Sequence, residues 1–279
     1  RGPPKGKGVS DQLRSEAAAR GKDSALMSMI AGRKKLPAWG RRDEVVKTVM
    51  ESSVVVISGE TGCGKTTQVP QFILDHLIAA GHGGDVNIVC TQPRRISAIG
   101  VAERVARERA EKIGGMVGYN IRLESKRSSD TRLLFCTTGI LLRRMTDDPT
   151  LSTVSHVIVD EVHERSLDGD FLLILLKRAL AVRPSLKVIL MSATLDADKF
   201  SAYFSGAPAL HIPGFTHPVR DVFLEEAFRL TGQLIGRGSP YALPREAFLQ
   251  KKKNLMAPRT AGEGDVFGAE DGGDSDEEG

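Results

Sequence analysis

Eight residues, Gly59-Glu60-Thr61-Gly62-Cys63-Gly64-Lys65-Thr66, constrain this chain more than any other segment. They fit the pattern G-x-x-x-x-G-K-[ST] in full. An apolar, β-branched run, Val54–Ser58, precedes them and a helical stretch, Lys65–Ala80, follows. A Gly-rich turn between a strand and a helix is the setting that phosphate binding requires. Its glycines reach φ > 0 and put no side chain in the way. Backbone N–H groups then turn onto a phosphate, reinforced by the helix N-terminus. Lys65 adds a point charge for the β- and γ-phosphates, and Thr66 a hydroxyl for Mg²⁺. Gly59 through Thr67 are therefore the expected nucleotide-binding residues. Two readings stay open for Cys63: a redox-sensitive thiol, or a small residue that the turn tolerates.

The phosphate loop sits in an alternating pattern. Short apolar runs at Val54–Ser58, Val86–Thr91, Leu133–Thr137, Val157–Asp160 and Lys187–Ser192 read as strands. Helical stretches lie between them: Lys65–Ala80, Ile96–Lys112, Gly139–Met145, Phe171–Ala181 and Ala197–Phe204. Continuous apolar strands separated by helices predict a parallel sheet covered on both faces. The expected fold is α/β, a three-layer αβα domain over residues 36–224 with a mostly parallel sheet and flexible termini. Residues 1–35 read as a flexible basic arm whose one ordered piece is a short helix over Ser15–Ile30. Residues 225–260 read as an irregular linker, and 261–279, acidic and Gly-rich, as a disordered tail.

The strand Ser155-His-Val-Ile-Val ends in Asp160-Glu161. A carboxylate at the carboxyl end of a parallel strand, following a phosphate loop, is placed to hold Mg²⁺. Asp160 takes that role, with Thr66 and Glu161 completing the expected metal set. Glu161 polarises the attacking water as general base. Lys65, Asp160 and Glu161 are thus the expected catalytic residues, for hydrolysis of ATP or another NTP with Mg²⁺.

Charge bears on the partner. The net charge is +4, but residues 260–279 hold eight acidic residues and no Lys or Arg. Removing those eight leaves +12 on residues 1–259, which favours a polyanionic partner. Three widely spaced cysteines suit neither a zinc site nor a disulfide framework and point to a reducing, intracellular setting. No apolar run approaches the roughly 20 residues of a membrane span, so no membrane partner is expected. No signal-peptide pattern opens the chain, and the first residue is Arg1, so it reads as a fragment or a processed chain.

Five segments together resemble the DEAH/RHA (DExH-box) group of superfamily 2 ATP-dependent RNA helicases. They are Gly59–Thr66, Thr91-Gln-Pro-Arg-Arg95, Thr137-Thr-Gly139, Asp160-Glu-Val-His163 and Ser192-Ala-Thr194. They come in the family's order, each at the end of an expected strand. The resemblance covers about Leu36 to Leu224 and implies the first RecA-like domain of a P-loop NTPase. Val162 departs from the Ala of the strict DEAH box and points to the multidomain RHA-like branch. It implies that Arg94, Arg95, Thr137, Thr138 and Gly139 contact single-stranded RNA. It implies that Ser192 and Thr194 couple γ-phosphate loss to domain movement, with His163 sensing the nucleotide. It also implies that Arg104 stacks on the base. Other readings stay open at the same positions: surface arginines at Arg94 and Arg95, a helix cap at Thr137–Gly139, a solvated helix face at Arg104. No glutamine precedes the loop between Leu36 and Val56, which implies weak base selectivity.

Such a helicase works with a second RecA-like domain, and with protein cofactors in some cases. Nothing after Leu224 matches the second domain, so the expectation is an N-terminal portion of a longer enzyme, weakly active by itself. The setting expected is cytoplasmic in preference to nuclear. Two alternatives stay open: a DNA-directed superfamily 2 translocase, and a catalytically incomplete RNA-binding module.

Overall fold

The structure, a computed structural model, describes residues 6–193, 197–215 and 219–233. The chain divides into two compact units, residues 1–217 and 218–279. The first unit carries an eight-stranded sheet. Its strands are β1 (Val54–Gly59), β2 (Ile88–Gln92), β3 (Val117–Ile121), β4 (Glu124–Lys126), β5 (Leu133–Thr137), β6 (His156–Val159), β7 (Lys187–Ser192) and β8 (Ala209–Ile212). They lie in the order β4-β3-β5-β2-β6-β7-β1-β8. Every pairing is parallel except β3 with β4.

Alternation along the strands builds two core layers. Val55, Ile57, Ile88, Cys90, Ile158, Ile189 and Met191 face one layer. Val56, Val89, Val157, Val159, Val188 and Leu190 face the other. Helices α4 (Arg42–Glu51), α5 (Lys65–Ala79) and α6 (Arg95–Glu108) cover the first. Helices α7 (Thr138–Asp147), α8 (Leu167–Val182) and α9 (Ala197–Tyr203) cover the second. Strands sealed on both faces cannot alternate polar with apolar, which explains the continuous apolar runs of the central strands. The expected three-layer α/β fold with a mostly parallel sheet is the fold observed.

The N-terminal segment differs from the expected flexible arm. It forms α1 (Lys7–Arg20) and α2 (Ser24–Arg33), followed by the short α3 (Pro37–Gly40). Leu13 of α1 packs against the first core layer, and polar side chains anchor both helices as well. The Ser10 hydroxyl accepts the Gly84 N–H at 2.8 Å, and Arg20 pairs with Glu111. A Cβ at Gly84 would lie 2.5 Å from the Gly6 carbonyl oxygen, so glycine is required for the approach. Asp23 caps α2 by accepting the Ala25 N–H at 2.8 Å, and Arg33 at its end is buried.

In the second unit, residues 225–260 are not irregular throughout. Helix α10 (Leu224–Thr231) opens with Glu225 and Glu226, which suit a helix N-terminus, and ends at Gly232 with φ 66°. The remainder of the expected linker beyond residue 233, and the acidic tail, lie outside the described residues. So does Thr194.

Candidate active site

The carboxyl ends of five adjacent parallel strands bring the sequence-derived residues to one edge of the sheet. Gly59 ends β1, Ser192 ends β7, Asp160 follows β6, Gln92 ends β2 and Thr137 ends β5. An open parallel sheet binds ligands along this edge.

The loop from Gly59 to Gly64 turns through positive φ at Gly62 (84°) and Gly64 (95°) and opens directly into α5. A Cβ at Gly59 would sit 2.9 Å from the Ile212 carbonyl oxygen of the neighbouring strand. Lys65 and Thr66 begin α5, Lys65 with only 4% of its surface exposed. Glu60 and Thr61 are exposed on the crest. Cys63 points the other way, fully buried in the first core layer. Of the two readings open for it, this placement favours the space-filling one. Thr67 donates to the Gly64 carbonyl at 3.3 Å.

The Thr66 hydroxyl donates to Asp160 Oδ2 at 2.7 Å, across 94 residues of sequence. Gln92 Nε2 donates to the same oxygen at 2.7 Å, and the Glu161 N–H to Asp160 Oδ1 at 2.9 Å. Burial pushes the Asp160 carboxyl above its ordinary range, against the pull of those donors and of Lys65. Two hard oxygens facing each other beside a buried lysine fit a divalent cation such as Mg²⁺. That ion takes few protein ligands and completes its shell with water and phosphate. No group of three or more His, Cys, Asp and Glu side chains suited to a metal occurs among the described residues.

Glu161 takes φ 56°, an uncommon value for a side-chain-bearing residue. A one-turn 3-10 segment, Val162–Glu164, follows, and Arg165 closes it at φ 48°. Burial, then the neighbouring Asp160, raises the Glu161 carboxyl above its usual value. His163 Nδ1 lies 3.3 Å from Glu161 Oε2 and 3.2 Å from the Ala193 N–H. Accepting from Ala193 requires an unprotonated Nδ1, whereas pairing with Glu161 requires a proton there. In either form His163 lies between the end of β7 and Glu161. Ser192 is fully buried at that strand end.

A second set lies beside the first. The register pairs Gln92 with Thr137, so the segments after β2 and β5 are neighbours. Arg94 is largely exposed, 3.2 Å from Glu164, and Arg95 Nη2 donates to the Arg122 carbonyl at 3.3 Å. Thr137 occupies the N-cap position of α7 without capping it through its side chain. Thr138 and Gly139 form the first turn of the same helix. Arg104 stands on α6, its Nε donating to Glu108 Oε1 at 2.7 Å.

Sequence reasoning missed Gln92, although it stands within Thr91-Gln-Pro-Arg-Arg95. Its signal was positional: a polar residue closing a fully buried strand next to β6. Glu108 and Arg33 carried no comparable signal, because the glutamines they meet on α5 are distant in sequence.

Comparison with known proteins agrees with this arrangement. The family described as DEAD/DEAH box helicase matches residues 41–201. The chain is 54% identical over 238 residues to the DExH-box ATP-dependent RNA helicase DExH3 of Arabidopsis thaliana, covering 82% of this chain and 20% of that protein. It is 59% identical over 202 residues to DExH1 of the same plant, covering 72% and 20%. It is 52% identical over 223 residues to the human ATP-dependent DNA/RNA helicase DHX36, covering 78% and 22%. The chain therefore spans about a fifth of the length of these relatives. With more than half of its residues matched, and with the five motifs gathered on one sheet edge, this chain belongs to the DEAD/DEAH box helicase family.

Proposed function

We propose that this chain is the nucleotide-binding portion of an ATP-dependent RNA helicase. The observation that carries the reading is the 2.7 Å contact between Thr66 and Asp160, with Glu161 beside it. The loop amides and Lys65 hold the β- and γ-phosphates of ATP or another NTP. Thr66 and Asp160 hold Mg²⁺, which when bound neutralises charge on the phosphate oxygens. Glu161, kept basic by deprotonation, orients and activates the attacking water. His163 and Ser192, with Thr194, pass the state of the γ-phosphate to the rest of the enzyme. Arg94, Arg95 and Thr137–Gly139 hold the backbone of single-stranded RNA. Arg104 packs on the base. A second RecA-like domain closes the cleft and supplies arginines to the transition state. Three buried, unpaired cysteines suit a reducing intracellular compartment, cytoplasm before nucleus. Among the described residues no helix is long and apolar enough to cross a membrane.

The test is ATP hydrolysis by residues 1–279, with and without single-stranded RNA, beside Glu161→Gln. Removing a transition-state arginine costs about 10³ to 10⁵ in rate. The expected result is nucleotide binding by both proteins with slow turnover, slower still in Glu161→Gln. Absence of nucleotide binding would overturn the reading, and RNA-stimulated turnover at ordinary helicase rates would overturn its dependence on a second domain. A DNA-directed enzyme is a second reading, favoured by the relative described as a DNA/RNA helicase. Single-stranded DNA in the same assay decides it.

A further inference from the structure

Glu108 is an acidic residue with only 4% of its surface exposed, at the end of α6. Its Oε1 accepts from Arg104 Nε at 2.7 Å. Its Oε2 accepts from Gln68 Nε2 at 2.8 Å and from Gln71 Nε2 at 2.9 Å. Gln68 and Gln71 are themselves fully buried, one and two turns into the helix that begins at Lys65. The Gln68 amide is used at both ends. Its nitrogen donates also to Thr67 Oγ1 at 2.8 Å, and its oxygen accepts from Arg33 Nε at 2.8 Å. Thr67 donates onward to the Gly64 carbonyl of the phosphate loop. Donors and acceptors match at every link, so the network fixes a single orientation for the amide.

Arg104 is the odd member. Its side chain is 60% exposed, yet it is tied to a carboxylate held by two buried amides, Gln68 and Gln71. An ordinary surface pair four residues apart on a helix is weak and leaves both side chains mobile. Here one end cannot move, so Arg104 loses little freedom when it meets a ligand. Its Nε is engaged by Glu108, while most of the side chain stays open to solvent.

We propose that Glu108, held by Gln68 and through it by Arg33 of α2, is the positioning residue for Arg104 at the nucleotide base. The inference rests on the reading of Arg104 as the base-stacking residue. It adds that the N-terminal helix α2, the phosphate-loop helix and the base site form one hydrogen-bonded unit. Glu108→Gln keeps the volume and an acceptor oxygen for Gln68 and Gln71, but turns an amide donor towards Arg104 Nε, where donor meets donor. The guanidinium is then released without removal of the phosphate loop.

The experiment uses residues 1–279 and displaces a fluorescent ATP analogue with ATP–Mg or with tripolyphosphate–Mg, which lacks sugar and base. Arg104→Ala is expected to weaken ATP about threefold to tenfold, the range of one stacking contact, and to leave tripolyphosphate unchanged. Glu108→Gln is expected to do the same, and the double variant to bind ATP no more weakly than Arg104→Ala alone. Glu108→Asp, which keeps the charge, is expected to recover part of the loss. Equal weakening of ATP and tripolyphosphate by Glu108→Gln would make Glu108 a structural residue only and overturn the proposal. So would an undiminished effect of Glu108→Gln in the Arg104→Ala background, or wild-type affinity for both ligands. If Arg104→Ala itself leaves ATP affinity unchanged, the base-stacking reading fails first and the proposal with it.

Discussion

At the residue scale, this site is built from side chains whose burial would be prohibitive without partners. Asp160 is the clearest case: 4% exposed, it accepts from Thr66, Gln92 and the Glu161 N–H, which offset the cost of removing a carboxylate from water. His156, at the other end of the same strand, is buried with weaker compensation. Burial, aided by Lys187, lowers its imidazole to about 4 from the ordinary 6.5. The folded protein therefore keeps His156 neutral where the unfolded chain takes up a proton. The unfolded state binds more protons below pH 6.5, so stability is full above that pH and falls as pH drops towards 4. The loss amounts to about 3 kcal/mol. Urea unfolding of the wild type and His156→Gln between pH 7 and 4 measures it. The wild type should lose about 3 kcal/mol more than the variant as pH falls, and a gap that does not change with pH would show that His156 does not contribute.

At the element scale, the core strands and the helices between them were legible because each is a long apolar run or a clear amphipathic stretch. Lys187–Ser192 coincides with β7, and Leu133–Thr137 with β5. Elements at the margins were not legible. Strand β8 shows only one buried residue of its four, so its pattern is faint, and β3 and β4 form a short hairpin of mixed polarity. Helices α1 and α2 were only partly legible, as one short helix over Ser15–Ile30 where the structure has two. Besides the packing of Leu13 on the core, they are held by polar side chains whose partners lie far along the chain. Arg33 is the strongest example. It donates to Gln68 across 35 residues, approaches Asp75 at 3.6 Å and lies 5.4 Å from the Trp39 ring centroid. The site divides in the same way: the phosphate loop and the acidic pair announce themselves by local spacing, whereas Gln92 and Glu108 acquire meaning only when strands and helices meet. Docking of α2 makes a prediction. Arg33→Ala leaves Gln68 Oε1 without its partner and Trp39 with Arg42 over its ring but not Arg33, at a cost of about 2–4 kcal/mol. A shift in the urea midpoint with an unchanged slope should report it. A change below about 0.5 kcal/mol, the size of an ordinary surface substitution, would mean that α2 is not held by this residue.

At the scale of the whole molecule, charge and site make separable contributions to nucleic-acid binding. The excess of basic residues over 1–259 attracts any polyanion, so raw affinity for RNA cannot distinguish a built track from a diffuse field. The salt dependence can, because each phosphate neutralised on a single strand contributes about 0.7 to the slope of log affinity against log salt. Arg94 and Arg95 follow β2 on the same sheet edge as Thr137–Gly139, and Arg94 is held only by an exposed pair with Glu164. Replacing both arginines with alanine should lower the slope for single-stranded RNA by about 1.4 and weaken binding to every sequence alike. Replacing two basic residues away from this edge, Arg178 and Arg183 on and after α8, should leave the slope within about 0.3 of the wild type, because distant charges act through the screened field rather than by displacing counterions. Equal slopes for the two double variants would mean that these 279 residues bind RNA through net charge, with no backbone track at the ends of β2 and β5.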